Sequence, residues 1–167
     1  SPLGNTSAEN YKAVVEGRTA VQQVTRPDLL PDPFYAALFP LSKPLTNTSL
    51  TRFERWCVQS VNEAIQSVEG TINKDDILFI LSTTKGNIEL IEQQEVDEAL
   101  RKRISLQSSA QKIADSLGIQ NPPLVVSNAC ISGVMAISVA KRMLDAGKYK
   151  HVIVTGADVL SHFILSG

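Results

Sequence analysis

The stretch VVSNACISGVMAIS, residues 125–138, sets a cysteine between a β-branched run and a long apolar one. Val125 and Val126 read as the end of a strand, and the residues from Ile131 onward as a helix. Between Ile131 and Ala140 only Ser132 and Ser138 are polar, and charge first returns at Lys141. A helix with so little polar surface is expected to be buried nearly all round in its first half, sandwiched between layers rather than laid on a single sheet.

Cys130 is therefore expected at a strand-to-helix junction, with Gly133 in the first turn, where backbone can be approached closely. At such a helix N-terminus the unpaired N–H groups and the helix dipole favour an anion, and so a thiolate over a thiol. The same N–H groups can receive the charge that develops on a carbonyl oxygen under attack. Nucleophile and half an oxyanion hole would then come from one turn. The competing reading is a small buried hydrophobe, since free cysteines are commonly buried. Spacing alone leaves both open.

Working outward, Ile77–Leu81, Leu124–Val126 and Val152–Thr155 are apolar runs without alternation, the pattern of strands covered on both faces. Helical patterns lie between them, Ala99 to Leu117 ending at Gly118 and Ile131 to Ala146 ending at Gly147. This alternation predicts a parallel α/β sheet with right-handed crossovers. Upstream, Phe53, Trp56, Cys57, Ser60, Val61, Ala64, Ile65 and Val68 mark the clearest helical period, from Thr48 to about Val68. Cys57 lies inside that stripe and reads as a small core residue. Thr6 and Glu9 fit a capping box for a short helix over about residues 7 to 16, with Gly17 able to end it. Residues 26 to 45 carry five prolines and read as an extended surface excursion, pinned by Phe34, Tyr35, Leu38 and Phe39.

Composition narrows the functions. At 167 residues and 43% hydrophobic content the chain is the size of one compact domain. Its 16 Lys plus Arg nearly cancel 17 Asp plus Glu, and no basic block tracks a phosphate backbone, which argues against a nucleic-acid partner. Two cysteines far apart and only His151 and His162 as imidazoles make neither a zinc site nor a disulfide framework, so a reducing compartment is expected. No run approaches the roughly 20 apolar residues of a membrane span, and the N-terminus lacks a signal-peptide profile. The expectation is a cytoplasmic protein without a membrane or metal partner. The Ser82-Thr83-Thr84-Lys85-Gly86 loop follows a strand but lacks the G-x-x-x-x-G-K-[ST] spacing of a nucleotide loop. Gly156-Ala157-Asp158 reads as a turn in preference to a site lining, and His162 as a packed or solvent-facing residue.

Taken together, these residues resemble the N-terminal half of a β-ketoacyl-[acyl carrier protein] synthase, a condensing enzyme of the thiolase superfamily. Asn128-Ala129-Cys130-Ile131-Ser132-Gly133 is similar to the family's Thr-Ala-Cys-x-x-Gly nucleophile motif. Ser1-Pro2-Leu3-Gly4-Asn5-Thr6 resembles its stretch after the first strand, and Val152 to Asp158 the strand ending in its Gly-Gly-Ala-Glu type segment. The order and rough separation of these stretches fit along the whole chain, with Gly86 to Glu92 where the family has a comparable loop.

The resemblance implies a thiolase-like α-β-α-β-α layered fold, of which residues 1–167 supply an N-terminal β-ketoacyl synthase domain lacking the first strand and the C-terminal half. The helix after Cys130 would be one of two central helices. It implies that Cys130 is acylated from the phosphopantetheine of an acyl carrier protein, with no resident cofactor. A decarboxylating malonyl thioester then attacks the acyl group, in fatty-acid or polyketide-type biosynthesis, and splitting one hard step in two is the usual gain of covalent catalysis. The partner would be the carrier protein, within a homodimer or a ketosynthase heterodimer, and Ile91 would lie near a residue gating the acyl pocket. The family's two catalytic histidines belong to its second half; neither His151 nor His162 matches them, so residues 1–167 alone are expected to be inactive. Asn128 stands where the family usually has Thr. Arg52, Arg55, Lys141, Arg142, Lys148 and Lys150 could meet an acidic carrier, or be solvated charges with no such purpose. Two other functions compete: a non-catalytic, chain-length-type partner subunit, and a cysteine hydrolase drawing on His151, Asp158 and His162.

Overall fold

The computed structural model describes residues 1–39, 49–68, 70 and 72–166. The chain divides into two compact units, Ser1–Thr48 with Ile164–Gly167, and Ser49–Phe163. In the first, helix α1 (Ser7–Val15) starts at the expected capping box, Thr6 receiving the Glu9 amide while the Glu9 carboxylate reaches back to the Thr6 N–H. Only Ala13 of α1 is buried; Tyr11, Val14 and Val15 are exposed.

The proline-rich stretch holds an antiparallel hairpin that its composition concealed, β1 (Gln22–Val24) pairing with β2 (Phe34–Ala36). Pro27, Pro31 and Pro33 all fall in the connection, where a missing N–H costs no ladder bond. Tyr35 and Phe39, expected as anchors, are exposed, while Phe34 and Leu38 are half-buried. Pro40 and Pro44 lie outside the described residues.

The larger unit is built on a parallel sheet of order β4-β3-β5, from β3 (Ile77–Ser82), β4 (Leu124–Val126) and β5 (His151–Thr155). Expected burial on both faces holds for β3, the central strand; β4 and β5 are half-buried through most of their length. Helix α2 (Arg52–Gln66), capped by a Thr51–Glu54 box, runs beside the sheet. The single helix expected over residues 99 to 117 is two, α3 (Glu98–Ile104) and α4 (Leu106–Leu117). Ser105 breaks them apart: it is extended, with ψ 136°, and its hydroxyl caps α4 through the Ser108 N–H. Gly118 ends α4 in the left-handed region as expected. Helix α5 (Ser132–Asp145) follows β4, and α6 (His162–Ser166) follows β5.

Side chains alternate across β3 and divide the core in two. Ile77, Phe79 and Leu81 meet Phe53, Cys57 and Val61 of α2 and Ala110, Ile113, Ala114 and Leu117 of α4. Leu78 and Ile80 meet Ala136 and Ala140 of α5. Helices thus lie on both faces, accounting for three of the five layers that the resemblance implies. All-round burial of α5 is not found. Ser132, Ala136 and Ala140 are buried, but Val134 is 73% and Ile137 63% exposed. One sheet covers one face of a helix; this sequence is apolar enough for two neighbours, and the described residues supply one. Among the described residues no helix is long and apolar enough to cross a membrane.

Candidate functional site

Because the strands are parallel, their C-terminal ends share one edge: Ser82 of β3 is level with Val126 of β4, and Leu81 with Thr155 of β5. The segments after each strand leave from that edge, where ligands gather on parallel sheets. Gly156 makes the convergence possible, since a Cβ there would stand 2.2 Å from the Ser82 carbonyl oxygen. Thr83 then ties two segments together, its hydroxyl donating to Asp158 Oδ1 at 2.9 Å and accepting from the Lys85 and Gly86 amides. Asp158 is engaged in holding the loops.

Cys130 stands on this edge, exposed, in a 3-10 turn (Ala129–Ile131) between β4 and α5. The buried alternative for it is thus excluded within this chain. Ala129 has φ 44°, the sole positive φ outside glycine among the described residues. Such a backbone costs on the order of 1–3 kcal/mol and persists only where its surroundings enforce it. The Ser132 hydroxyl, buried, accepts from the Asn128 N–H at 2.7 Å and donates to the Ala129 carbonyl at 2.8 Å. The Asn128 side-chain amide turns to the Met135 sulfur. A Cβ on Gly133 would meet nothing within 4 Å, so the close approach expected there is not made by this chain and the space is open.

The other thiol is opposite in every respect. Cys57 is 1% exposed in the α2 core, and burial foremost, with the Glu54 and Asp158 charges, pushes it up to about 12. A thiol so placed is inert.

Ile91 is half-buried in a 3-10 turn (Ile88–Glu92) on the segment that leaves the end of β3. His151 opens β5 and so lies at the opposite edge of the sheet from Cys130, which removes it as a base for that thiol. His162 begins α6. Five of the six basic side chains have partners in the chain: Arg52 with Glu89 at 2.8 Å, Arg55 with the Leu50 carbonyl at 3.3 Å, Lys141 with Asp145, and Lys150 with Asp76 at 2.7 Å, while Lys148 sits over the Tyr149 ring; Arg142 is exposed on α5.

One polar cluster escaped the sequence reading. Glu54, fully buried, takes a two-pronged bond from Arg103, 2.6 Å to each oxygen, and further bonds from Asn87 and the Thr51 N–H. Asn87 also bonds Ser109 and Thr51, so α2, α3, α4 and the segment after β3 meet at one point. Burial works against the Glu54 charge, but Arg103, the Thr51 amide and Asn87 outweigh it and hold the carboxyl below its ordinary value. The Thr51-x-x-Glu54 capping pattern was a signal for Glu54; nothing in the sequence pairs it with Arg103.

The chain is similar to known proteins over part or all of its length. Residues 125–165, from β4 through Cys130 and α5 to α6, match the family model described as 3-oxoacyl-[acyl-carrier-protein (ACP)] synthase III. A 3-oxoacyl-[acyl-carrier-protein] synthase 2 of Synechocystis is 24% identical over 179 aligned residues, covering 95% of this chain and 43% of that protein. A β-ketoacyl-[acyl-carrier-protein] synthase III of Oceanobacillus iheyensis is 43% identical over 58 residues, 34% of this chain and 19% of its own length. In structure, the ishigamide ketosynthase/chain length factor superposes with a TM-score of 0.75 at 18% identity, over 100% of this chain and 53% of that one. The chain spans about half the length of the relatives that match along all of it.

Proposed function

We propose that this chain, with the layered α/β fold of the ketosynthase it superposes on, is part of a condensing enzyme of the thiolase superfamily, and that Cys130 is the acyl acceptor of a β-ketoacyl-[acyl carrier protein] synthase. The observation that carries the reading is the exposed thiol in a left-handed turn where a parallel strand hands over to a helix. The Cys130 thiolate attacks the carbonyl of an acyl group carried on the phosphopantetheine of an acyl carrier protein. A new C–S bond forms, the carrier's C–S bond breaks, and the departing pantetheine sulfur takes up a proton. A malonyl thioester then loses carbon dioxide, its carbanion forms a C–C bond to the acyl carbon, and Cys130 leaves as thiolate. The Cys130 backbone N–H receives the charge on the carbonyl oxygen in both steps, since the Asn128, Ile131 and Ser132 amides of the turn are bonded to Ser132 Oγ and to the Asn128 and Ala129 carbonyls. The groups that assist decarboxylation come from outside residues 1–167, so these residues by themselves are inactive. Ile91 contributes to the acyl pocket, and the enzyme works in the cytoplasm as a homodimer or a ketosynthase heterodimer.

A second reading, a non-catalytic subunit that shapes a partner's pocket, is supported by the paired name of the structural neighbour, ketosynthase and chain length factor. The retained, exposed Cys130 favours the catalytic reading. Incubating the full-length protein with an acyl carrier thioester and mapping adducts by mass spectrometry separates them. An acyl adduct on Cys130 is expected; no adduct, with the protein still pairing with an active synthase, would establish the second reading.

A further inference from the structure

We propose that Ser132 is a positioning residue for Cys130, a role that rests on the acyl-acceptor reading above. A serine at the N-cap turns its hydroxyl to the helix's own amides, whereas Ser132 stands one residue inside α5, where side chains lean toward the N-terminus. Ser132 faces backward. Its hydroxyl has one proton to donate and accepts one bond here, and both go to the two residues before the cysteine: the Asn128 N–H and the Ala129 carbonyl. No side chain caps α5 in the ordinary sense.

The arrangement accounts for Ala129. An alanine at φ 44° is disfavoured by its Cβ, and left to itself it would return to negative φ. Ser132 belongs to α5 and is nearly fully buried, so it anchors the turn to the part of the helix seated on β3. The residue after Ala129 is Cys130, and rotation at Ala129 would swing the thiol away from the start of α5. Removing the hydroxyl strands the Asn128 N–H and leaves the Ala129 carbonyl with the Ser132 backbone N–H alone, so the turn loses its side-chain tie.

The test is alkylation of the full-length protein by iodoacetamide across a pH series, read per cysteine by mass spectrometry. Cys57, buried, reports unfolding in the same sample. Four proteins are compared: wild type, Ser132→Ala, Ala129→Gly and the double variant. Ser132→Ala should slow Cys130 labelling about tenfold at fixed pH and alter its pH profile, with Cys57 protected, the scale of one net hydrogen bond. In the Ala129→Gly background, where glycine takes positive φ without penalty, losing the hydroxyl should cost about threefold or less. A wild-type rate in Ser132→Ala with Cys57 protected overturns the proposal, and so does an equal tenfold loss in both backgrounds. Should Ser132→Ala also expose Cys57, the Ala129→Gly pair decides alone. Wild-type protein that takes no acyl group on Cys130 while keeping this labelling pattern would remove the acyl-acceptor reading and leave the positioning role standing.

Discussion

Strand β3 is buried on both faces, but the layers beyond those faces differ. On one side α2 turns Phe53, Cys57 and Val61 inward and shows water Gln59, Asn62 and Glu63, so the layer is finished. On the other, α5 sets Ala136 and Ala140 against Leu78 and Ile80 and leaves Val134 and Ile137 uncovered. Each side owns one cysteine. In the finished layer the thiol is walled in and pushed up to about 12; at the start of the unfinished one it is exposed. Packing protects a cysteine from chemistry, and a nucleophile belongs where packing stops at a helix end.

The sharpest break in that comparison is chemical. Cys130→Ala in the full-length protein should abolish acyl adducts and lower condensation on the order of 10³-fold or more, while Cys57→Ala leaves adduct formation intact. In the same assay native Cys57 should label on the order of 10³-fold more slowly than Cys130, through unfolding alone. Cys57 labelling as readily as Cys130 would erase the distinction between the two sides.

Stability comes next. Phe79→Ala opens a cavity in the finished layer and should cost about 3–5 kcal/mol in denaturant unfolding. Arg103→Ala leaves the Glu54 carboxylate buried without its cation, a loss of about 3 kcal/mol. Glu54 also supplies a pH dependence. Its carboxyl is held below its ordinary value, so its stabilisation is present above about pH 4.5 and is lost as pH falls through the lower folded value. Glu54→Gln should flatten the stability profile in that acid range; an unchanged slope would show that the pair is not coupled to folding. Smallest of all, Val134→Ser on the open side of α5 should change the stability of residues 1–167 by less than about 0.5 kcal/mol. A larger loss would mean that the face is already covered.

The capping box at Thr6, the strands around Ile77, Leu124 and Val152, the left-handed caps at Gly118 and Gly147 and the core place of Cys57 were all legible, because each depends on neighbours in sequence. The break at Ser105 was not, since the residues on either side carry helical patterns and only the cap geometry separates them. The hairpin was hidden by prolines that sit in its connection. For the candidate site, the cysteine, its turn and the following helix could be read from one motif, whereas the backward reach of Ser132 and the left-handed Ala129 could not.

By itself, then, the order of residues determined the periodicities, the caps and the location of a thiol between a strand and a helix, since these are set within a few residues of one another. Folding in three dimensions decided which sides of those elements meet partners: Glu54 finding Arg103 across 49 positions, Asp158 finding Thr83 across 75, and α5 receiving cover on one face. Contacts between distant segments depend on how strands line up and helices cross, and a hydrophobic pattern states that a face wants burial without stating what will bury it.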